Sequence, residues 1–163
     1  MTRERFQWIL VGLIIGIAFA LLGINTSSSA ETPKSGQELV DYREKRLKAA
    51  GGAMQALAQY DGSNAETAVN AAKTIDDVAG ELLSMFPEGS GPGGAGIEKT
   101  RAKPEIWSDW AGFEAKAKAL DDAATVLTAA AAGNDLAAIK AAAGDVGKAC
   151  KACHEAYRGP EDH

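Results

Sequence analysis

The chain has 163 residues, a formal net charge of -5, 46% hydrophobic residues and two cysteines. That length suits one domain and excludes a three-domain enzyme, and two cysteines cannot staple so long a chain into a disulfide scaffold. Lys+Arg 17 against Asp+Glu 22 leaves no basic excess, which argues against a nucleic-acid partner, and 6% aromatics beside abundant Ala suits closely packed helices.

The first predicted element is a leader. Arg3 and Arg5 precede an uncharged apolar run from Ile9 to Ile24, and the small-residue step Ser28-Ser29-Ala30 follows. This pattern reads as a signal peptide over residues 1–30, cut after Ala30. The other reading is a retained N-terminal membrane anchor, because the run of 16 residues lies between a typical signal centre and a full span of about 20 residues. Under either reading the domain is residues 31–163, and it is exported, with the periplasm as its expected compartment. Cleavage takes away two Arg and one Glu and leaves 133 residues at -6.

Four helices are predicted next, each carrying one apolar stripe with steps of three and four. The first runs roughly from Gly36 to Tyr60 on Val40, Leu47, Ala50, Met54 and Leu57. The second runs from Asn64 to Phe86 on Val69, Ala72, Ile75, Ala79, Leu82 and Phe86. The third runs from Pro104 to Ala132, with Ile106, Trp110, Phe113, Ala117, Leu120, Ala124, Leu127 and Ala131 inward. The fourth runs from Asn134 to Arg158 on Leu136, Ile139, Ala143, Val146, Cys150, Cys153 and Tyr157. Asp61-Gly62-Ser63-Asn64 is a turn with a cap, and Gly133-Asn134-Asp135 is a stop followed by a cap. Short links at these two places force antiparallel neighbours. The fold class is all-α, an antiparallel up-down-up-down four-helix bundle.

Between helices two and three lies a long link, Pro87 to Lys103, with five glycines and two prolines. It reads as a solvated connector, or else as a flap beside the functional site. The first helix has a second stripe as well: Leu39, Tyr42, Ala49, Ala53, Ala56 and Tyr60. Its small residues permit close approach by another helix, although Arg46 interrupts it.

The last helix carries the chemistry. Cys150-Lys151-Ala152-Cys153-His154 is a Cys-x-x-Cys-His signature for attachment of c-type haem. Two thiols one turn apart add across the vinyl groups of one porphyrin edge, and the adjacent imidazole ligates iron. Rival readings are weaker. A thioredoxin-like pair wants a βαβ context, neighbouring helical turns give poor disulfide geometry, and a zinc site wants four ligands. The sequence therefore predicts one haem c, joined to Cys150 and Cys153, with His154 on the metal.

Three stretches then resemble the cytochrome c′ family: Tyr42-Arg43-Glu44-Lys45-Arg46-Leu47, Lys103-Pro104-Glu105-Ile106-Trp107-Ser108-Asp109, and Gly144 through the haem motif to Arg158. The similarity covers essentially the whole exported chain. It implies a haem bundle whose distal face is covered by the residue five after the Tyr of Tyr-Arg. Low-spin relatives have Met there, and here the residue is Leu47. Leu cannot ligate, so the resemblance implies five-coordinate, high-spin iron under an apolar lid. Such a pocket, without hydrogen-bond donors, favours nitric oxide and carbon monoxide over oxygen. The family function is nitric oxide binding or single-electron transfer with a redox partner protein, often as a homodimer through helix 1.

The alternative is a six-coordinate, low-spin, Met-ligated electron carrier. Met54 is its main candidate ligand, although Met54 stands two helical turns, ~10 Å, from Leu47. Met85 lies near a helix end and reads as core. An enzyme is not expected, because no distal acid or base accompanies Leu47. Two arginines match the family. Arg158 flanks the proximal side of His154 or simply complements the helix C-terminus. Arg43 pairs with a haem propionate or lies on an exposed face. Tyr157 packs on the haem or is plain core.

Overall fold

The computed structural model describes residues 35–160. The expected leader, residues 1–30, lies outside them, as does His163. Among the described residues no helix is long and apolar enough to cross a membrane.

The helices are α1 (Gly36–Gln59), α2 (Ala65–Glu81), α3 (Glu105–Ser108), α4 (Trp110–Gly133) and α5 (Leu136–Tyr157). The caps are those that the turn residues suggest. Asn64 accepts from Glu66 N at 3.1 Å to start α2. Asn134 ends α4 in the left-handed region at φ 50. Asp135 then starts α5 by accepting from Ala137 N at 2.9 Å and Ala138 N at 3.1 Å. The long helices pack in a ring, α1 on α2, α2 on α4, α4 on α5, with α5 returning to α1. This is the predicted up-down-up-down bundle.

Three details differ from the predicted elements. The third helix is divided at Asp109, whose backbone leaves the helical region at φ -124 and ψ 53. Pro104 opens the single turn α3, and Asp109 caps α4 by accepting from Gly112 N at 3.2 Å. The second helix tightens into a 3-10 turn over Leu82–Met85 before Phe86. Val69 and Trp110, both expected inward, are 43% and 38% exposed. In α2 the buried row runs through Ala68, Ala71, Ala72 and Ile75, one residue out of phase with the predicted start. Small Ala side chains let α2 approach its neighbours closely, so Val69 is left on the rim.

The core has two parts. One, beside the α1–α2 and α4–α5 turns, is built on Ala53, Leu57, Ile75, Leu127, Ile139 and Val146. The other, at the end carrying the long link, is built on Val78, Leu82, Phe86, Ile106, Phe113 and Tyr157. Part of the second stripe of α1 is used here. Leu39, Ala53 and Tyr60 are buried within the protein itself, whereas Ala49 is exposed.

The long link is laced to both helices that flank it in space. Gln37 N donates to Gly96 O at 2.9 Å. The Gln37 side chain accepts from Glu98 N at 3.0 Å and Lys99 N at 3.1 Å. At the other side Lys103 N donates to Tyr157 O at 3.0 Å and Gly159 N donates to Arg101 O at 2.7 Å. Gly91 is obligatory for a steric reason, because a Cβ there would stand 2.5 Å from the Trp107 ring. Trp107 Nε1 donates to Phe86 O at 3.1 Å and Pro87 O at 3.0 Å, which pins the start of the link to α3.

Candidate haem-binding site

A cavity of about 1140 Å³ opens between α1 and α5, floored by Ile75 and Val78 of α2. It is at the upper end of small-molecule sites, which run about 300–1,000 Å³. Helical spacing puts Val146, Cys150, Cys153 and Tyr157 on one face of α5, and all four line this cavity. Its location follows from the packing, since it lies where the two core clusters meet. Cys150 packs against the first cluster and Cys153 against the second.

Both cysteines are free and half-buried. Burial pushes both thiols above the ordinary value, so they remain protonated at neutral pH. His154 stands at the exposed edge of the same cavity. Its pKa lies below the ordinary 6.5, first through partial desolvation and then through the cations Arg158 and Arg101. The imidazole is therefore neutral near pH 7, the form that ligates a metal. Among the described residues no group of three or more His, Cys, Asp or Glu is arranged to hold an ion directly. Two adjacent free thiols, a neutral imidazole and a large apolar cavity fit a covalently attached haem.

The facing wall belongs to α1. Leu47 is half-buried and lines the cavity with Ala50 and Met54. Met54 is thus in the cavity wall, and its methyl group lies 3.8 Å from where a Cβ on Gly147 would stand, one turn before Cys150. Met85 is 1% exposed within the second core cluster and takes no part in the wall.

Arg43 departs from the exposed-face alternative. It is 2% exposed and lines the cavity. Its Nη1 donates to Ser90 O at 2.9 Å and Ser90 Oγ at 3.3 Å, and its Nη2 donates to Thr100 Oγ1 at 2.6 Å. The guanidinium also lies 4.6 Å from the Phe86 ring centroid. Among the described residues no carboxylate lies within ion-pairing distance of it. Burial lowers its pKa to about 10, so it is still cationic at neutral pH.

Tyr157 is both core and cavity wall. It is 6% exposed, meets Phe113 edge-on at 5.4 Å, and donates to Asp109 Oδ2 at 2.8 Å. Arg158 follows the last helical residue, lines the cavity and is exposed. Its backbone N donates to His154 O at 3.0 Å, so it combines a C-terminal cation with a place beside the imidazole.

The long link contributes more than a connector would. Lys99, Thr100, Arg101 and Ala102 line the cavity, and Ser90 and Thr100 hold Arg43. Sequence reasoning missed Ser90, Thr100 and Asp109 as neighbours of the site. Asp109 lies in the second family-like stretch, but nothing there marked it as a break in the predicted third helix. Nothing in the local pattern points to Ser90 or Thr100, whose partner lies 47 or 57 residues away.

The family model described as cytochrome C′ matches residues 38–158. Cytochrome c′ of Rhodospirillum rubrum is 35% identical over 149 residues, covering 90% of this chain and 97% of its own length. Cytochrome c′ of Alcaligenes xylosoxydans xylosoxydans is 44% identical over 102 residues, 62% of this chain and 72% of its own. Among solved structures, a cytochrome c′ described as having an unusual ligand-controlled dimer dissociation gives a TM-score of 0.72 at 30% identity, covering 78% of this chain and 99% of its own. The nitric oxide complex of a mutant cytochrome c prime from Alcaligenes xylosoxidans gives 0.67 at 30% identity, covering 79% and 100%.

Proposed function

The chain belongs to the cytochrome c′ family, a family of c-type haem proteins, and on that premise we propose that it is a periplasmic carrier of one haem c that binds nitric oxide and carbon monoxide and passes single electrons to a partner protein. The observation that supports this reading is the pairing of two cavity walls. Cys150, Cys153 and His154 stand on one, and apolar Leu47 stands on the other. Haem, when bound, would supply a redox-active iron able to take a small ligand.

The chain's own residues do the rest. The Cys150 and Cys153 thiols form the thioether links and fix the ring between α1 and α5. His154, held neutral first by partial desolvation and then by Arg158 and Arg101, would supply the ligating nitrogen. Leu47 offers neither a ligating atom nor a hydrogen-bond donor, which disfavours oxygen and leaves room for small neutral gases. Arg43 presents a buried cation to the cavity, the complement of a haem propionate. Tyr157 and Phe113 close the pocket with apolar ring surface. Leu47 itself supplies no acid or base, although Asp41 and Glu44 also line the cavity from α1; the reading is a binding and electron-transfer protein. A second copy docking on α1 has Ala49 and part of Ala56 available, since Leu39, Ala53 and Tyr60 are already buried. Sedimentation tests that association.

Mass spectrometry of the exported protein should show one covalent haem. The optical spectrum of the ferrous protein should be five-coordinate and high-spin, and it should change on adding nitric oxide. One observation favours a second reading: Met54 lines the same cavity. A six-coordinate, low-spin ferrous spectrum that becomes high-spin in Met54→Leu would replace the first reading with the Met-ligated carrier.

A further inference from the structure

We propose that Tyr157 is a redox-active tyrosine, oxidised by one electron when a peroxide has reacted at the haem, with Asp109 receiving the phenolic proton. The inference rests on the haem attachment proposed above.

Oxidising a phenol turns it into a strong acid. A buried tyrosine therefore gives up an electron readily only where an acceptor already holds its proton. The described residues include three tyrosines, and each donates a hydrogen bond. Tyr60 donates to Asn134 Oδ1 at 2.8 Å, but an amide oxygen is too weak a base to keep the proton. Tyr42 donates to the Glu81 carboxylate at 2.8 Å, but Glu81 also pairs with Arg46 at 2.6 Å, and Tyr42 is not in the cavity wall. Tyr157 alone among them joins a place in the cavity wall to a carboxylate at 2.8 Å.

The surroundings suit the same role. Tyr157 begins one turn after Cys153 and His154 on α5. As a residue Tyr157 is 6% exposed, with its ring against Phe113. Asp109 is exposed, so a proton placed there exchanges with water. Gly112 leaves the gap in which the two groups meet, because a Cβ at that position would collide with both the Asp109 carboxylate and the Tyr157 hydroxyl.

The step balances as follows. Over the whole cycle hydrogen peroxide would take two electrons and two protons, its O–O bond would break and two waters would form, with the bound haem relaying one electron by way of Tyr157 and the other from the external donor. One of the two electrons thus comes from Tyr157. The O–H bond breaks, the electron returns to the haem site, and the proton moves to the Asp109 carboxylate. A neutral tyrosyl radical and a carboxylic acid remain, and an external one-electron donor restores them. The device drains oxidising power from the pocket to a place where it does not attack the ring or its thioether links.

The test uses the full haem-loaded protein, with the haem first verified by mass spectrometry. One equivalent of hydrogen peroxide is added, the sample is freeze-quenched, and the radical is read by electron paramagnetic resonance. We expect a tyrosyl signal that narrows when the protein is grown on ring-deuterated tyrosine. It should vanish in Tyr157→Phe and persist in Tyr42→Phe and Tyr60→Phe. Asp109→Asn keeps an acceptor for the α4 cap but removes the base, and its signal should fall sharply while its circular dichroism and haem spectrum are unchanged. A tyrosyl signal that survives Tyr157→Phe, a tryptophan radical instead, or no protein radical at all in a haem-loaded sample overturns the proposal. A chain that carries no haem fails at the earlier step and overturns the reading beneath it.

Discussion

Arg43 shows how much of the site depends on single side chains. A buried cation with no carboxylate in ion-pairing distance among the described residues is stabilised here by neutral oxygens and by the Phe86 face. Replacing it with Met should leave Ser90 O and Thr100 Oγ1 without their donor and cost about 1–3 kcal/mol. Urea unfolding of Arg43→Met checks this, and an unchanged midpoint would count against Arg43 as the anchor of the link. Tyr157 gives a pH signature. Its pKa lies above the ordinary 10.0, first through the hydrogen bond to Asp109 and then through burial. The unfolded chain loses this proton at lower pH than the folded one. The stabilisation is therefore complete below pH 10 and is lost as pH rises through the folded value. The stability difference between the native chain and Tyr157→Phe should shrink above pH 10, as unfolding midpoints at stepped pH would reveal. A difference that stayed constant would mean that the bond is not formed. The thiols and the imidazole are legible through the Cys-x-x-Cys-His motif, and Leu47 through its place on the inward stripe together with the family resemblance. Arg43's burial is not legible, since its partners arrive from 47 and 57 residues away.

At the scale of elements, capping decides where α4 begins and hence where Tyr157 finds its partner. The apolar stripe from Ile106 to Ala131 is continuous in sequence, which is why one unbroken helix is predicted. Periodicity carries no information about a break that preserves phase. Asp109 makes the break because its side chain satisfies Gly112 N and its backbone turns out of the helix. Asp109→Ala should cost about 0.5–2 kcal/mol from the lost cap, with more from the lost Tyr157 bond. Asp109→Asn should retain most of the cap. Thermal melts of the two variants should separate them, and equal melting temperatures would contradict the capping role. The same limit applies to α2. Alternating rows of Ala give nearly equivalent faces, so Val69 is predicted inward by a pattern that Ala68 and Ala71 satisfy at closer range.

The whole molecule is a bundle with its centre held open. Aromatics are 6% of the chain, and the cavity of about 1140 Å³ is the space that an Ala-rich core does not fill. Empty apolar volume is destabilising in proportion to its size. The Cys150→Ser, Cys153→Ser double variant, unable to hold haem covalently, should melt well below the haem-loaded protein and lose near-ultraviolet dichroism before its helical signal. Coincident melts for the two forms would show that the bundle does not depend on an occupant. The order and direction of the four long helices are readable from the sequence, because short capped links join α1 to α2 and α4 to α5. The cavity's side wall is not, because it is built from irregular chain.

That irregular wall has a dynamic meaning. Residues 98–103 bond to Gln37 and Arg43 at one edge and to Tyr157 and Gly159 at the other. Glycine-rich composition suggests a segment that opens by itself, whereas this one opens only when contacts to two helices are surrendered together. Amide hydrogen exchange at Glu98, Lys99, Lys103 and Gly159 should therefore proceed as a single cooperative unit with the start of α1 and the end of α5, more slowly than at exposed Glu88 or Gly89. Thr100→Val, which removes one tie to Arg43, should quicken the exchange of all four amides and not of Lys99 alone. The entrance to the pocket then behaves as a latch whose two sides release together.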